Sequence, residues 1–206
     1  NVYPGAQIPF GGIQISPDTD SRFYDAASGY KYNHLTLMGF SLTHLSGTGI
    51  PDLGDFLFIP GTGEMKLEPG THEDPDQGYR SRYSHDKEWA SPNYYAVELA
   101  DYGVKAEMTS GVRSGMFRFT YPESDNAFIM IDMNHTLWQS CEWSNLRMIN
   151  DSTITGYKLV KGWGPERHVY FTATFSKKLT GLRFVQDKKP VIYNTSRFRS
   201  SYEAWG

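Results

Sequence analysis

Residues able to do chemistry crowd into one stretch, Gly39-Phe40-Ser41-Leu42-Thr43-His44-Leu45-Ser46-Gly47-Thr48-Gly49-Ile50-Pro51-Asp52-Leu53-Gly54-Asp55. It holds hydroxyls, one His, two Asp and four Gly in 17 residues. Glycines let backbone approach a ligand or adopt positive φ. Hydroxyl, imidazole and carboxylate groups supply donors and acceptors for a polar, hydroxylated ligand. A plainer role is open, a Gly-rich turn before a buried strand in which Asp52 and Asp55 bond nearby N–H groups. No complete catalytic constellation accompanies it. The six His (34, 44, 72, 85, 135 and 168) are not spaced as metal pairs, and no phosphate loop, H-E-x-x-H or G-x-S-x-G occurs. The order of Asp and Glu picks out no acid–base pair. Asp74-Pro75-Asp76-Gln77-Gly78 has the start of a calcium loop without its later ligands.

The elements that must position this stretch read as strands. Tyr95, Val97 and Leu99 alternate with Ala96, Glu98 and Ala100, then Asp101-Tyr102-Gly103 turns the chain. Val104–Thr109 returns, and Met116–Tyr121 makes a third strand ended by Pro122, a three-strand meander. Phe128–Met133 is almost wholly apolar and predicts a strand buried on both faces. Further strands are predicted over Ser152–Lys161, Val169–Phe175, Gly181–Gln186 and Pro190–Tyr193. The best helical stretch is Ser140–Arg147, short and weak. Toward the N-terminus, Ile8–Ser16, Tyr30–Phe40 and Leu53–Pro60 could each hold a strand, and residues 61–80 read as a long surface loop. The expected fold is all-β, a large two-sheet antiparallel sandwich with few short helices. At 206 residues the chain is read as one domain.

Composition narrows the class. Fourteen Tyr, twelve Phe and five Trp beside 20 Gly and 11 Pro suit strands joined by tight turns, and also a sugar binder. Net charge is −3 and no basic run occurs, so nucleic acid is not an expected partner. Arg80, Arg82 and Lys87 are interrupted by Asp86 and Glu88 and read as solvated surface. Cys141, the single cysteine, permits no intrachain disulfide and reads as a small buried apolar residue. No run of about 18 apolar residues is present, so no helical membrane span is expected. The first residues read like the interior of a domain, as if the chain started after the natural N-terminus.

Three ordered blocks carry a family resemblance. The first is Tyr3-Pro4-Gly5-Ala6-Gln7-Ile8-Pro9-Phe10-Gly11-Gly12, followed by Gln14-Ile15-Ser16-Pro17-Asp18-Thr19. The second is Gly39-Phe40-Ser41 with Thr43–Gly49 and Asp52-Leu53-Gly54-Asp55, and the third is Tyr83-Ser84-His85 with Glu88-Trp89-Ala90, Pro92, Tyr94 and Tyr95. The blocks, continuing through Val104–Thr109 and Arg113, resemble the N-terminal domain of glycoside hydrolase family 92. Gly12 and Ile50-Pro51 depart from the pattern of many relatives. The resemblance implies a β-sandwich packed on a C-terminal α/α toroid in a secreted or periplasmic, calcium-dependent exo-α-mannosidase. It implies that catalytic acid, base and calcium ligands lie largely in the toroid, so none is assigned here. It places Phe10, Gly11, Gly12, His44, Asp52, Asp55 and Trp89 at the substrate or the domain interface, with mannose-containing glycans as partners. A non-catalytic carbohydrate-binding module and a purely structural domain are the alternatives.

Overall fold

A computed structural model describes residues 2–22, 26–181, 183–186, 189–191 and 197–200. The chain divides into two compact units, residues 1–138 and 139–206. Every described strand pairing is antiparallel, and the only described helical segments are single 3-10 turns at Pro75–Gln77 and His85–Lys87. The all-β expectation holds.

In the first unit, β1 (Ser16–Asp18), β3 (Gly39–Ser41), β4 (Leu57–Thr62) and β10 (Ala127–Asp132) form one four-stranded sheet in the order β1-β3-β4-β10. A second sheet is a continuous meander of β6 (Glu88–Ser91), β7 (Tyr94–Leu99), β8 (Val104–Ser110) and β9 (Gly115–Thr120). Two short strands, β2 (Thr36–Leu37) and β5 (Ser81–Arg82), pair beside them. The alternation read from Tyr95, Val97 and Leu99 and from Val104, Ala106 and Met108 is the inner face of the meander; all six are buried. They share a core with Ile15, Leu37 and Phe40. Phe40 and Phe58 meet Phe119 and Phe117 across the layer at 6.4 and 5.2 Å between ring centroids. Each such side chain contributes about 1.5–3 kcal/mol through its removal from water, so this seam is the main cohesion of a two-sheet sandwich.

The second unit has β11 (Ser140–Asn150), β12 (Thr153–Lys161), β13 (Arg167–Thr174) and β16 (Arg197–Ser200) in the order β13-β12-β11-β16. A separate hairpin joins β14 (Phe184–Gln186) and β15 (Lys189–Val191).

Several expectations need correction. Ser140–Arg147 is not helical. It lies in β11, where Cys141, Ser144 and Leu146 are buried and a bulge between Cys141 and Trp143 shifts the register. Phe128–Met133 is not buried on both faces, because β10 is an edge strand whose residues are only part-buried or exposed. Arg80 is not solvated: it is buried, donating to the Thr19 carbonyl at 2.6 Å and to Thr36 Oγ1 at 3.2 Å. Arg82 and Lys87 are the surface residues expected, paired with Asp76, Asp101 and Glu98. Segment 8–16 is an irregular hairpin closed by an Ala6–Ile15 bridge, with strand only from Ser16. Cys141 is buried, as its type suggested.

Candidate functional site

Three loops of the first unit meet at the end of the β1-β3-β4 sheet. Residues 8–14 precede β1, residues 42–56 join β3 to β4, and residues 133–138 follow β10. Backbone bonds lock them together: Gln14 N–H to the Leu42 carbonyl (3.0 Å), Gly54 N–H to the Thr43 carbonyl (2.8 Å) and Leu137 N–H to the Leu53 carbonyl (2.9 Å). Gly54 has φ +75°, and a Cβ there would come within 2.6 Å of Leu137 Cγ. Glycine is therefore required where these two loops cross.

A buried ionic node lies beneath them. His44 Nε2 stands 2.7 Å from Asp18 Oδ1 and His135 Nε2 stands 2.7 Å from Asp18 Oδ2. His44 Nδ1 donates to the Gln14 carbonyl at 2.7 Å. Both nitrogens of His44 thus have oxygen partners within hydrogen-bond distance. Ser41 Oγ completes the surround at 3.0 Å from Nε2. Burial alone would raise the pKa of the Asp18 carboxyl. The His44 charge, with hydrogen bonds from His135 and His44, outweighs it and holds the carboxyl well below the usual carboxylate range. Gly29, at φ +82°, makes room: a Cβ there would lie 2.0 Å from Asp18 Oδ1.

The backbone above the node is strained. Phe10, Leu53, Phe56 and Trp138 have φ between 58° and 73°, four of the five described non-glycine residues in the left-handed region. Each such residue costs roughly 1–2 kcal/mol. Strain of this kind persists where surrounding structure fixes it, and it collects at ligand sites. At Phe10 it drives the ring fully into solvent, on a turn closed by Gly11 N–H to the Ile8 carbonyl. Gly12 donates to the Val112 carbonyl at 2.8 Å, bringing the exposed Val112 beside this turn.

The residues singled out from sequence fall into three groups. Phe10, Gly11 and Gly12 form one outward turn. His44, Asp52 and Asp55 are all buried in the strap between β3 and β4: His44 on Asp18, Asp52 accepting from the Leu53 N–H (2.6 Å), Asp55 accepting from Thr43 Oγ1 (2.7 Å). Trp89 stands apart on β6, partly exposed, with the Lys105 ammonium 5.8 Å from its ring centroid. Sequence reasoning missed Asp18, His135 and Gly29 as partners of His44. Asp18 is 26 residues from His44 and 117 from His135, separations that no local pattern spans. Among the described residues no group of three or more His, Cys, Asp or Glu is arranged to hold a metal ion.

The arrangement provides an exposed aromatic ring and open glycine backbone above a rigid, ion-paired base. Asp18 is fully buried between the His44 and His135 rings, so it anchors rather than reacts. The geometry suits binding and support.

A solved structure, that of the family 92 glycosyl hydrolase ccman5, is similar to this chain at 25% identity with a TM-score of 0.78. The likeness covers 97% of this chain and 27% of that one, so the chain spans about a quarter of that protein's length. No curated protein sequence matches. The model of the glycosyl hydrolase family 92 N-terminal domain matches residues 1–205. This chain belongs to the glycosyl hydrolase family 92 N-terminal domain family.

Proposed function

We propose that this chain is the N-terminal sandwich of an exo-acting α-mannosidase that removes terminal α-mannose from glycans, and that it supports and partly lines the sugar pocket. The observation that carries the reading is the family match over residues 1–205. A C-terminal α/α toroid of the same polypeptide supplies the acid and base carboxylates that glycosidic cleavage needs. Calcium belongs to that part too in this reading, and no step in this chain runs through it. The parent enzyme acts in the secreted or periplasmic space; no described helix is long and apolar enough to cross a membrane.

Within this reading the exposed Phe10 ring packs on an apolar sugar face, while the Gly11 and Gly12 backbone lets the ligand come close. His44, Asp52 and Asp55 act one layer deeper, fixing the strap that shapes the pocket wall. Trp89 contributes at the domain interface.

The test compares the 206-residue chain with the full-length enzyme for mannose release from an aryl α-mannoside in calcium. Release by the full-length enzyme alone is the expected result. Comparable release by the purified chain would overturn the division of labour, and no release by the full-length enzyme from any α-mannoside would overturn the substrate.

A further inference from the structure

The second unit carries a surface that the proposed function does not use. Along β12, Ile154, Gly156, Lys158 and Val160 are buried in strict alternation. Thr153, Thr155, Tyr157 and Leu159 therefore share the other face. The register extends that face over three strands. Tyr157 lies opposite Tyr170 and Asn145, Thr155 opposite Thr172 and Arg147, and Leu159 opposite His168 and Trp143.

The result is a row of rings. Trp143 and Tyr157 have centroids 5.0 Å apart, Tyr157 and Tyr170 4.7 Å apart, and the His168 imidazole lies 5.9 Å from Tyr157 at an interplanar angle of 23°. Tyr170 is 70% exposed. Cross-strand aromatic pairs stabilise a sheet, yet stability alone gives no reason to leave such a ring mostly in water. Beside the rings run hydroxyl rungs: Thr155 Oγ1 and Thr172 Oγ1 are 3.3 Å apart, and Thr153 and Thr174 pair at 3.3 Å. At the rim Lys161 pairs with Glu142 at 3.3 Å and His168 meets Glu166 at 3.0 Å, with Arg147 exposed at the far end. An aromatic, hydroxyl-rich and nearly charge-balanced face complements a neutral ligand that has apolar ring faces and many hydroxyls.

We propose that this face binds a neutral oligosaccharide, its pyranose rings stacked on Trp143, Tyr157 and Tyr170 and its hydroxyls bonded to Thr155 and Thr172, while His168, held between Tyr157 Oη at 2.8 Å and Glu166 at 3.0 Å, fixes the Tyr157 ring. The inference rests on ring placement and register, independently of the mannosidase reading, and involves no bond cleavage.

Affinity electrophoresis of the 206-residue chain, in gels cast with soluble α-mannan or with hydroxyethyl cellulose, tests it. Retardation in at least one gel is expected. Tyr170→Ala and Trp143→Ala should each weaken it about tenfold, as loss of a central aromatic anchor does, with circular dichroism unchanged. Ile149→Ala, an exposed apolar change off the row, should leave it intact. Retardation by the glucan alone still supports the face, while the mannosidase reading stands or falls by its own assay. Failure of both gels, or retardation unaltered in both aromatic variants, overturns the proposal. So does a dimer that Tyr170→Ala dissolves, which would make a second copy the occupant. Retardation of the chain that disappears in the full-length enzyme also overturns it, because the remaining polypeptide would then cover the face.

Discussion

At the scale of single residues, the Asp18–His44–His135 node is where stability concentrates. Removing one partner of a buried ion pair strands the other charge and costs about 3–5 kcal/mol. His44→Ala should therefore unfold at clearly lower denaturant concentration than the parent chain; an unchanged midpoint would show that the node is not structural. The substitution acts on folding first, since the ring faces the carboxylate and not solvent. Gly29→Ala should be similarly harmful, by about 3 kcal/mol or more, because the new methyl meets Asp18 Oδ1 at 2.0 Å in a left-handed backbone. The residue types in the 39–55 stretch were legible as a polar, Gly-rich device. Their targets were not, because the carboxylate that pairs with His44 comes from β1 and the second imidazole from beyond β10.

At the scale of elements, the meander was readable because its two sides differ in polarity with period two, which specifies which face turns inward. β11 was not. Its alternation is broken by bulges at both ends, and weak helical propensity filled the gap until pairing with β12 decided the matter. The long loop expected over residues 61–80 begins only after β4 ends at Thr62, and its anchoring was invisible. His72 is hydrogen-bonded to Thr36 at 2.9 Å and lies 3.3 Å from Asp20, while its ring packs 3.8 Å from that of His34. His34 is pushed down to about 4, first by burial and then by the His72 charge, with Lys31 and Arg80 adding to the effect and Asp20 opposing it. A histidine depressed in the folded state takes up its proton more readily when unfolded. Its contribution is thus intact above the ordinary histidine value of about 6.5 and declines as pH falls from there toward 4. The melting temperature should fall over that window, and His34→Gln should flatten the fall. An equally steep fall in His34→Gln would remove His34 from the cause. Below about pH 4 the depressed Asp18 carboxyl adds a second loss, since the unfolded chain then binds its proton first.

At the scale of the whole molecule, the question is what the exposed apolar residues of the first unit await. Phe10 is fully exposed, and Val112 and Met116 are 60% and 68% exposed. Gly12 bonds the turn of Phe10 to the backbone of Val112. Fully burying a Phe side chain is worth about 1.5–3 kcal/mol. Association costs roughly 4–15 kcal/mol before any gain appears. One ring therefore cannot sustain a tight dimer, but with its neighbours it can sustain weak self-association. The isolated chain should show a sedimentation coefficient that rises with concentration, and Phe10→Asp should abolish the rise. Folding should be untouched or slightly improved, because Phe10 buries nothing and Asp tolerates φ +58° better than Phe does. In the full-length enzyme the same substitution should lower mannoside turnover while leaving the unfolding free energy within about 0.5 kcal/mol of the parent's. Concentration-independent sedimentation together with unaltered turnover in Phe10→Asp would mean that the strained turn at Phe10 serves neither sugar nor partner.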